Sequence, residues 1–435
     1  MNARTTALSA LIAIRRQNAW ADGAIKEYTA RDRLDRRDAA LAARLLYGVV
    51  QNRMLLDYDL SQVVSGGLGR LQPVVLDILR LGAYQILFLD KIPASAAVNE
   101  AVEQAKAYAN PRAAGLVNGA LRALVRRRDT LEVPTDLATK YSHPQPLVDC
   151  LRVSFEEQAL EAFLAADNEI PKTALQVNPL KAPPEEVTAA LDAAQIAYEP
   201  HPWLAGCYLV SGTGNLEALP LFQSGAVYVQ DPAAKLAVLV SGAAPGMRVL
   251  DCCAAPGGKS FAAAMQMENR GSILSCDLHA HKIALIEKNA ARLGISILKA
   301  EQRNAAEFDA ALENAFDLVI ADVPCSGLGV IRKKPDIRYK PLDAIARLPE
   351  VQRAILENVS RYVRPGGVLL YSTCTVRKEE NEAVALSFAQ AHPMFTPEPF
   401  AVPEGLELPN EGYATLLPQL HAADGFFICK LRKHI

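Results

Sequence analysis

The sequence predicts a multi-domain chain in three parts: an all-α bundle over residues 1–140, a small α+β connecting subdomain over 141–225, and an α/β domain over 226–435. The α/β domain is expected to carry a mostly parallel sheet with an antiparallel C-terminal strand. Three observations predict this order. Apolar residues recur with helical period through the first third of the chain. Prolines and polar residues thicken from Pro134 to Pro146, as in a linker. After Gly225, short apolar runs of strand length alternate with helical stretches.

The composition is that of a globular protein of several domains, with 435 residues, 50% apolar and 22% charged. No apolar run reaches the ~18 residues of a membrane span. The stretch Ala7 to Ile14 is closed by Arg15 and Arg16 without a cleavage-like site, so it reads as a first helix and not as a signal peptide. The net charge of -2 hides an asymmetry: residues 1–140 hold 20 Lys and Arg against 14 Asp and Glu, the rest 26 against 34. The basic end is the expected partner surface for a polyanion. Eight cysteines without a secretory signal indicate a reducing, cytoplasmic compartment, and with no C-x-x-C pair no structural metal is expected.

In the bundle, Val98, Ala101, Val102 and Ala105 form one apolar stripe and Val117, Ala120, Leu121 and Leu124 another. The runs Ala39 to Val50 and Leu71 to Leu87 have the same character, and Pro93-Ala94-Ser95 supplies a break with an N-cap before Ala96. Arg122, Arg126, Arg127 and Arg128 cluster near one helix end, where they suit either a solvated terminus or an RNA-contacting face. The segments LRLGAYQIL (Leu79 to Leu87), AVNEAVEQAKAY (Ala97 to Tyr108) and LVNGALR (Leu116 to Arg122) resemble the NusB-like RNA-binding helical domain, and that resemblance favours RNA.

The connecting region holds a helix from Val148 to Ala166, a strand from Ala174 to Val177, and a helix after Pro183-Pro184. Beyond it, strands are expected at Arg248 to Asp251, Ser272 to Asp277, Ile295 to Ala300, Asp317 to Ala321 and Val368 to Ser372. Tyr413 to Leu417 and Phe426 to Leu431 follow with no helix between them. A terminal antiparallel pair on a parallel sheet resembles the class I (Rossmann-like) methyltransferase fold.

The stretch VLDCCAAPGGKS (Val249 to Ser260) is a strand, a tight turn and a helix start, where small residues let backbone N–H groups approach a ligand. A Walker A loop would need glycine where Cys253 stands, and the dinucleotide pattern G-x-G-x-x-G is missing. What remains is a loop for an adenosine ligand without a phosphate cradle, which S-adenosyl-L-methionine satisfies. Ala254, Ala255, Pro256, Gly257, Gly258, Lys259 and Ser260 are therefore expected to line the cofactor. Asp277 ends the next strand about 20 residues on, the spacing at which an acid accepts from ribose hydroxyls; its plainer role would be capping the following helix. Asn304 lies just past the third strand, and its amide is able to hydrogen-bond a purine.

The fourth strand runs into DVPCSGLG (Asp322 to Gly329) and the fifth into YSTCT (Tyr371 to Thr375), so Cys325 and Cys374 are expected at neighbouring strand ends. A single such cysteine is most simply a small buried hydrophobe, but two at equivalent tips beside a cofactor loop point to chemistry. Cytosine C5 is too weak a nucleophile to take a methyl group unaided. A thiolate adding to C6 makes it one.

These motifs, with KPDIRY (Lys334 to Tyr339) and EEN (Glu379 to Asn381), resemble the RNA 5-methylcytosine methyltransferase family, and SHP (Ser142 to Pro144) and LQVNPLK (Leu175 to Lys181) are similar to its connecting subdomain. The family more often has tryptophan where Pro146 stands and an acid where Asn304 stands. The resemblance implies Cys374 as nucleophile, Cys325 as the residue promoting release, and Asp322 and Lys259 between cofactor and target base. Together with the helical domain it implies 16S rRNA, naked or in an early small-subunit particle, as partner, with an unstacked cytidine as target. Arg332, Lys333, Lys334 and Arg338 are candidates for the flanking phosphates. A monomer without membrane or metal is the default expectation. The alternatives are the same reaction on tRNA and, from another class, a non-catalytic RNA-binding assembly or antitermination factor.

Overall fold

A computed structural model describes residues 2–17 and 19–434, which form two compact units. The first comprises the residues up to Arg152 together with Glu156–Ile170 and Ile331–Lys340; the second comprises Val153–Phe155, Pro171–Val330 and the residues from Pro341 onward.

Seven helices build the body of the first unit: α1 (Ala3–Gln17), α2 (Ala21–Arg31), α3 (Arg36–Gln51), α4 (Arg53–Ser61), α5 (Pro73–Phe88), α6 (Ala94–Tyr108) and α7 (Pro111–Arg127). Their starts follow local chemistry. The Asp35 carboxylate accepts from the Asp38 amide at 2.8 Å, and Asn110 accepts from Ala113 at 3.0 Å with Pro111 in the first turn. Helix α6 begins without such a bond, on Pro93, two residues before the expected Ala96. Val117, Leu121 and Leu124 are fully buried, as are Leu45, Leu46, Ile78 and Leu79. Each large side chain so removed from water contributes about 1.5–3 kcal/mol. Gly48 lets α3 meet α5 closely: a Cβ there would lie 1.9 Å from the Tyr84 ring.

The segment expected to be a linker is built into this unit. It contains a short helix, α8 (Leu137–Lys140), and Ser142 and His143 have no exposed surface. The single helix expected from Val148 to Ala166 is two, α9 (Gln145–Arg152) and α10 (Glu157–Ala166), separated at Val153 to Phe155. Arg338, expected on a solvated RNA-binding loop, is 1% exposed. Its Nη1 donates to the carbonyls of Gln51 (2.7 Å) and Ser142 (3.1 Å) and to Asn168 Oδ1 (3.0 Å), and its Nη2 donates to the Asp167 carbonyl (3.4 Å). The guanidinium gathers carbonyls that helix ends and turns leave without partners, so Arg338 faces the interior and not a phosphate. Next to it, Tyr339 donates to Val50 O at 3.0 Å and lies under the Arg53 guanidinium at 3.6 Å.

In the second unit a four-stranded antiparallel sheet, ordered β2-β3-β1-β4, comes first. Its strands are β1 (Thr173–Val177), β2 (Tyr198–Pro200), β3 (Cys207–Val210) and β4 (Val227–Val229), with helices α11 (Pro184–Ala193) and α12 (Pro220–Gln223) between them. Asn178 Nδ2 donates to Gly225 O and Leu293 O at 2.8 and 2.9 Å, joining this sheet to the α/β layer. The α/β layer runs α13 (Pro232–Ser241), β5 (Arg248–Asp251), α14 (Gly258–Gln266), β6 (Ser272–Asp277), α15 (Ala280–Leu293), β7 (Leu298–Gln302), β8 (Phe316–Asp322), α16 (Asp343–Ala346), α17 (Leu348–Ser360), β9 (Val363–Thr373), α18 (Glu382–Ala391), β10 (Phe395–Pro397), β11 (Tyr413–Leu416) and β12 (Phe426–Lys433). The sheet order is β10-β12-β9-β8-β5-β6-β7, with β11 on β12; β9, β8, β5, β6 and β7 are parallel, and β10, β11 and β12 pair antiparallel. The third expected strand starts three residues late because Gly294, at φ 73°, ends α15 and Ile295 N bonds back to Ala290 O at 2.9 Å. No helix among the described residues is long and apolar enough to cross a membrane.

Burial pushes the Asp167 carboxyl up to about 7 and holds the adjoining His143, 3.4 Å away, well below the usual imidazole range. A carboxyl whose folded pKa is raised contributes stability that is full below its unfolded value near 4 and is lost as pH rises through about 7. Asp167→Asn is therefore expected to flatten the fall in melting temperature between pH 4 and 7; an unaltered slope would exclude Asp167 as its source. Arg338→Met is expected to cost on the order of 3–5 kcal/mol by leaving its acceptors orphaned, and Arg338→Lys is not expected to restore it.

Candidate active site

The carboxyl ends of β5, β6, β8 and β9 meet along one edge of the sheet, where an open α/β sheet binds its ligand. Parallel pairing places Asp322, the last residue of β8, opposite Ser372 of β9, and the Ser372 hydroxyl donates to Asp322 Oδ1 at 2.8 Å. Three residues beyond Asp322 and two beyond Ser372 stand Cys325 and Cys374, whose sulfurs are 3.2 Å apart. The structure thus brings together the two cysteines that the sequence placed at neighbouring strand ends. The Cys325 thiol is pushed well above its ordinary range, first by its hydrogen bond with Cys374 and then by burial.

Lys259 reaches the same edge from the first turn of α14. Its Nζ lies 2.6 Å from Asp322 Oδ2 and 4.9 Å from the centre of the Phe426 ring, with the side chain 9% exposed. The turn before it is tight. Gly257 sits at φ 106° as the N-cap of α14, and a Cβ there would come within 2.3 Å of the Phe261 ring; a Cβ on Gly258 would touch the Gln230 amide at 3.3 Å. The two glycines are therefore required by the packing of the turn against Phe261 and Gln230.

Ser260, expected to line the cofactor, is fully buried and turned the other way. Its hydroxyl donates to Asp251 Oδ2 at 2.7 Å and accepts from Ser275 at 2.7 Å, joining α14 to β5 and β6. Burial raises the Asp251 carboxyl to about 7. Only the backbone of Ser260 is left for a ligand. Asp277 is 6% exposed at the end of β6; it accepts from the His279 amide at 3.0 Å and lies 3.3 Å from Lys282 Nζ, so it does brace the start of α15. Asn304 is exposed beyond β7, where its Oδ1 accepts from Ala306 N and its Nδ2 donates to Glu307. It lines a cleft of about 390 Å³ with Cys252, Cys276, Arg303 and Phe308.

The structure adds residues that motif reading left without a role. Glu380, fully buried, accepts from Ser326 N and from Gln352 Nε2, both at 2.9 Å, and from Arg377 at 3.1 Å. Asn381 accepts from Thr373 and donates to Thr375 O at 3.0 Å, while Ser326 and Thr375 share a 2.7 Å bond. One carboxylate and one amide thus fix the loops that carry Cys325 and Cys374. The signal was the EEN triplet itself, but nothing in its local pattern reveals a partner such as Gln352, 28 residues away. Among the described residues no group of three or more His, Cys, Asp and Glu could hold a metal ion.

Three stretches of the chain match known families: the NusB family over residues 1–126, the N-terminal domain of 16S rRNA methyltransferase RsmF over 144–232, and 16S rRNA methyltransferase RsmB/F over 240–432. The chain is 38% identical over 441 residues to the probable ribosomal RNA small subunit methyltransferase B of Bacillus subtilis, an alignment that covers 99% of this chain and 98% of that one. It is 32% identical over 439 residues to the ribosomal RNA small subunit methyltransferase B of Vibrio cholerae, covering 100% and 98%. Among solved structures it is similar to the crystal structure of PH0851, with a TM-score of 0.81 at 26% identity and 98% of each chain covered. NSun6 from Pyrococcus horikoshii, crystallised with SFG, shares the fold at a TM-score of 0.60 and 22% identity over 67% of this chain and 98% of that one.

The glycine turn is testable without any ligand. Gly257→Ala combines a positive-φ position with a ring in the way, and is expected to lower stability by roughly 1–3 kcal/mol. Adding Phe261→Leu should recover only the part due to the collision. An unchanged melting temperature for the single variant would mean that the turn is not so constrained.

Proposed function

The chain belongs to the ribosomal RNA small subunit methyltransferase B family, within the RsmB/F group of 16S rRNA methyltransferases, and from that premise we propose that it methylates C5 of a cytidine in 16S rRNA through a covalent Cys374–C6 adduct. The observation that carries this reading is the pair of thiols 3.2 Å apart at the ends of adjacent parallel strands. S-adenosyl-L-methionine supplies an electrophilic methyl group. The turn from Ala254 to Gly258, with a buried carboxylate at Asp277 and no phosphate loop, fits such an adenosine ligand, with Asp277 on the ribose hydroxyls, Asn304 toward the adenine, and Lys259 and Asp322 beside the reacting groups.

The protein's own residues divide the chemistry. Cys374, as thiolate, forms the bond to C6, and the ring electrons shift toward C5 and N3. Lys259, held 2.6 Å from Asp322, provides the positive charge beside the ring that stabilises this density. Once C5 has taken the methyl group, its hydrogen leaves as a proton and the Cys374–C6 bond breaks, restoring the aromatic ring and the thiolate. Cys325, in hydrogen-bond contact with Cys374, is the base for that release: with its own proton first given up to solvent, its thiolate takes the C5 proton as the Cys374–C6 bond breaks. Incubation with labelled S-adenosylmethionine and unmodified 16S rRNA, followed by sequencing of the product, tests the assignment directly; label at a position other than cytosine C5, or none, would refute it.

Asp277→Ala is expected to weaken cofactor binding by about 1.5–3 kcal/mol, and calorimetry showing unchanged affinity would remove Asp277 from the site.

The two cysteines should fail in opposite ways. Cys374→Ala should be inactive and release RNA freely, whereas Cys325→Ala should transfer the methyl group but accumulate a protein–RNA complex that survives denaturing electrophoresis. Comparable partial activities with no adduct would reduce both residues to core filler. Trapping by Cys374→Ala instead would exchange their roles.

A further inference from the structure

A second concave site lies in the same unit. It is a cleft of about 740 Å³, bounded at one end by Pro256 and Gly258 of the cofactor turn, and it falls within the size range of ligand pockets. One wall comes from Phe222, Tyr228 and Val229; the other is the outward face of α15, where Leu285, Lys288, Asn289 and Arg292 recur at helical spacing while Ile286, Ala290 and Leu293 face inward. Val229 and Leu285 are 49% and 45% exposed, two aliphatic side chains facing solvent across the cleft. Arg292 is fixed flat, with Nη1 donating to Phe222 O at 2.6 Å and Val227 O at 3.1 Å, and its guanidinium 3.9 Å above the Phe222 ring. Among the described lining residues Glu217 is the acidic one. Lys288 has neither a hydrogen bond nor an ion pair among the described residues.

We propose that this cleft holds one unstacked nucleotide of the RNA strand that carries the target cytidine. The inference rests on the RNA-methylating reading given above. Exposed aliphatic surface and a fixed guanidinium plane are stacking partners for a base, which needs no particular sequence to be held in this way. The uncompensated Lys288 ammonium suits its phosphate. Asn289 spends its Nδ2 on Leu285 O at 3.0 Å and keeps its carbonyl oxygen for a base edge. The cleft shares Pro256 and Gly258 with the glycine turn but contains neither cysteine nor Asp322, so it serves capture of the strand and takes no part in the chemistry.

The test uses the full-length protein, unmodified 16S rRNA and labelled S-adenosylmethionine. Lys288→Glu and Leu285→Asp are each expected to raise KM for RNA about ten-fold, with kcat, cofactor affinity and melting temperature unchanged; Lys288→Arg should retain wild-type KM. Lys288→Ala should reduce the magnitude of the salt dependence of RNA binding by about 0.7 in log–log slope, as for one phosphate of a single strand. RNA substituted with 4-thiouridine should crosslink to peptides within residues 216–229 or 285–292. A wild-type protein that methylates rRNA while these variants keep its KM and no such crosslink forms would overturn the cleft assignment. A protein that crosslinks there but transfers no methyl group would instead overturn the methylation reading and leave the cleft standing.

Discussion

The parallel pairing of β8 with β9 is the constraint on which the site depends. Because Asp322 and Ser372 stand opposite each other and are hydrogen-bonded, the residues just beyond them are delivered to the same place, and Cys325 and Cys374 meet. A parallel register slip by one residue would reverse the facing of every side chain on a strand. That outcome is opposed by burial on both sheet faces: Leu318 and Ile320 pack on one side, Val319 and Ala321 on the other. The loops beyond the strands have no ladder to hold them. There Glu380 and Asn381 substitute side-chain acceptors and donors for backbone pairing, and their complete burial makes those bonds costly to lose.

The chain after Cys325 takes an unexpected course. Residues up to Val330 belong to the unit that holds the thiols, Ile331–Lys340 to the unit of the helical bundle, and Pro341 onward to the former again. Basic residues in that excursion therefore serve different ends. Arg338 has become part of the interior of the bundle unit, exchanging phosphate for backbone carbonyls. Lys334 remains exposed. On the bundle itself Arg122 and Arg126 are solvent-facing, while Arg127 donates to Gln62 O and Arg128 lies 3.5 Å from Asp90. A cluster of like charge in the sequence is thus divided in the fold between structural and solvent-facing roles.

The proposed cofactor turn and the cleft beside it share Gly258 and Pro256. The turn carries Lys259 to Asp322 and also borders the room between the antiparallel sheet and α15. Asn178, bonded to both Gly225 and Leu293, holds those two walls at a fixed separation. The site and the cleft are consequently consequences of one packing arrangement.

The sequence by itself determined the order of elements, because that depends on local quantities such as apolar period and turn composition, and its motifs named the residues proposed to carry chemistry. β5 and β6 coincide with the runs read from sequence, and Lys259, Asp322, Cys325 and Cys374 were all legible as site candidates. The tertiary structure alone decided what depends on distant partners. Ser260 lost its ligand-facing hydroxyl to Asp251 and Ser275. Ser142 and His143, within the polar, proline-rich stretch, are interior where Arg338, nearly 200 residues away, supplies a donor for the Ser142 carbonyl. The face of α15 could be drawn from its periodicity, but that it forms a cleft is settled by the antiparallel sheet packed opposite, and burial and hydrogen-bond satisfaction are properties of such neighbours, which no local pattern contains.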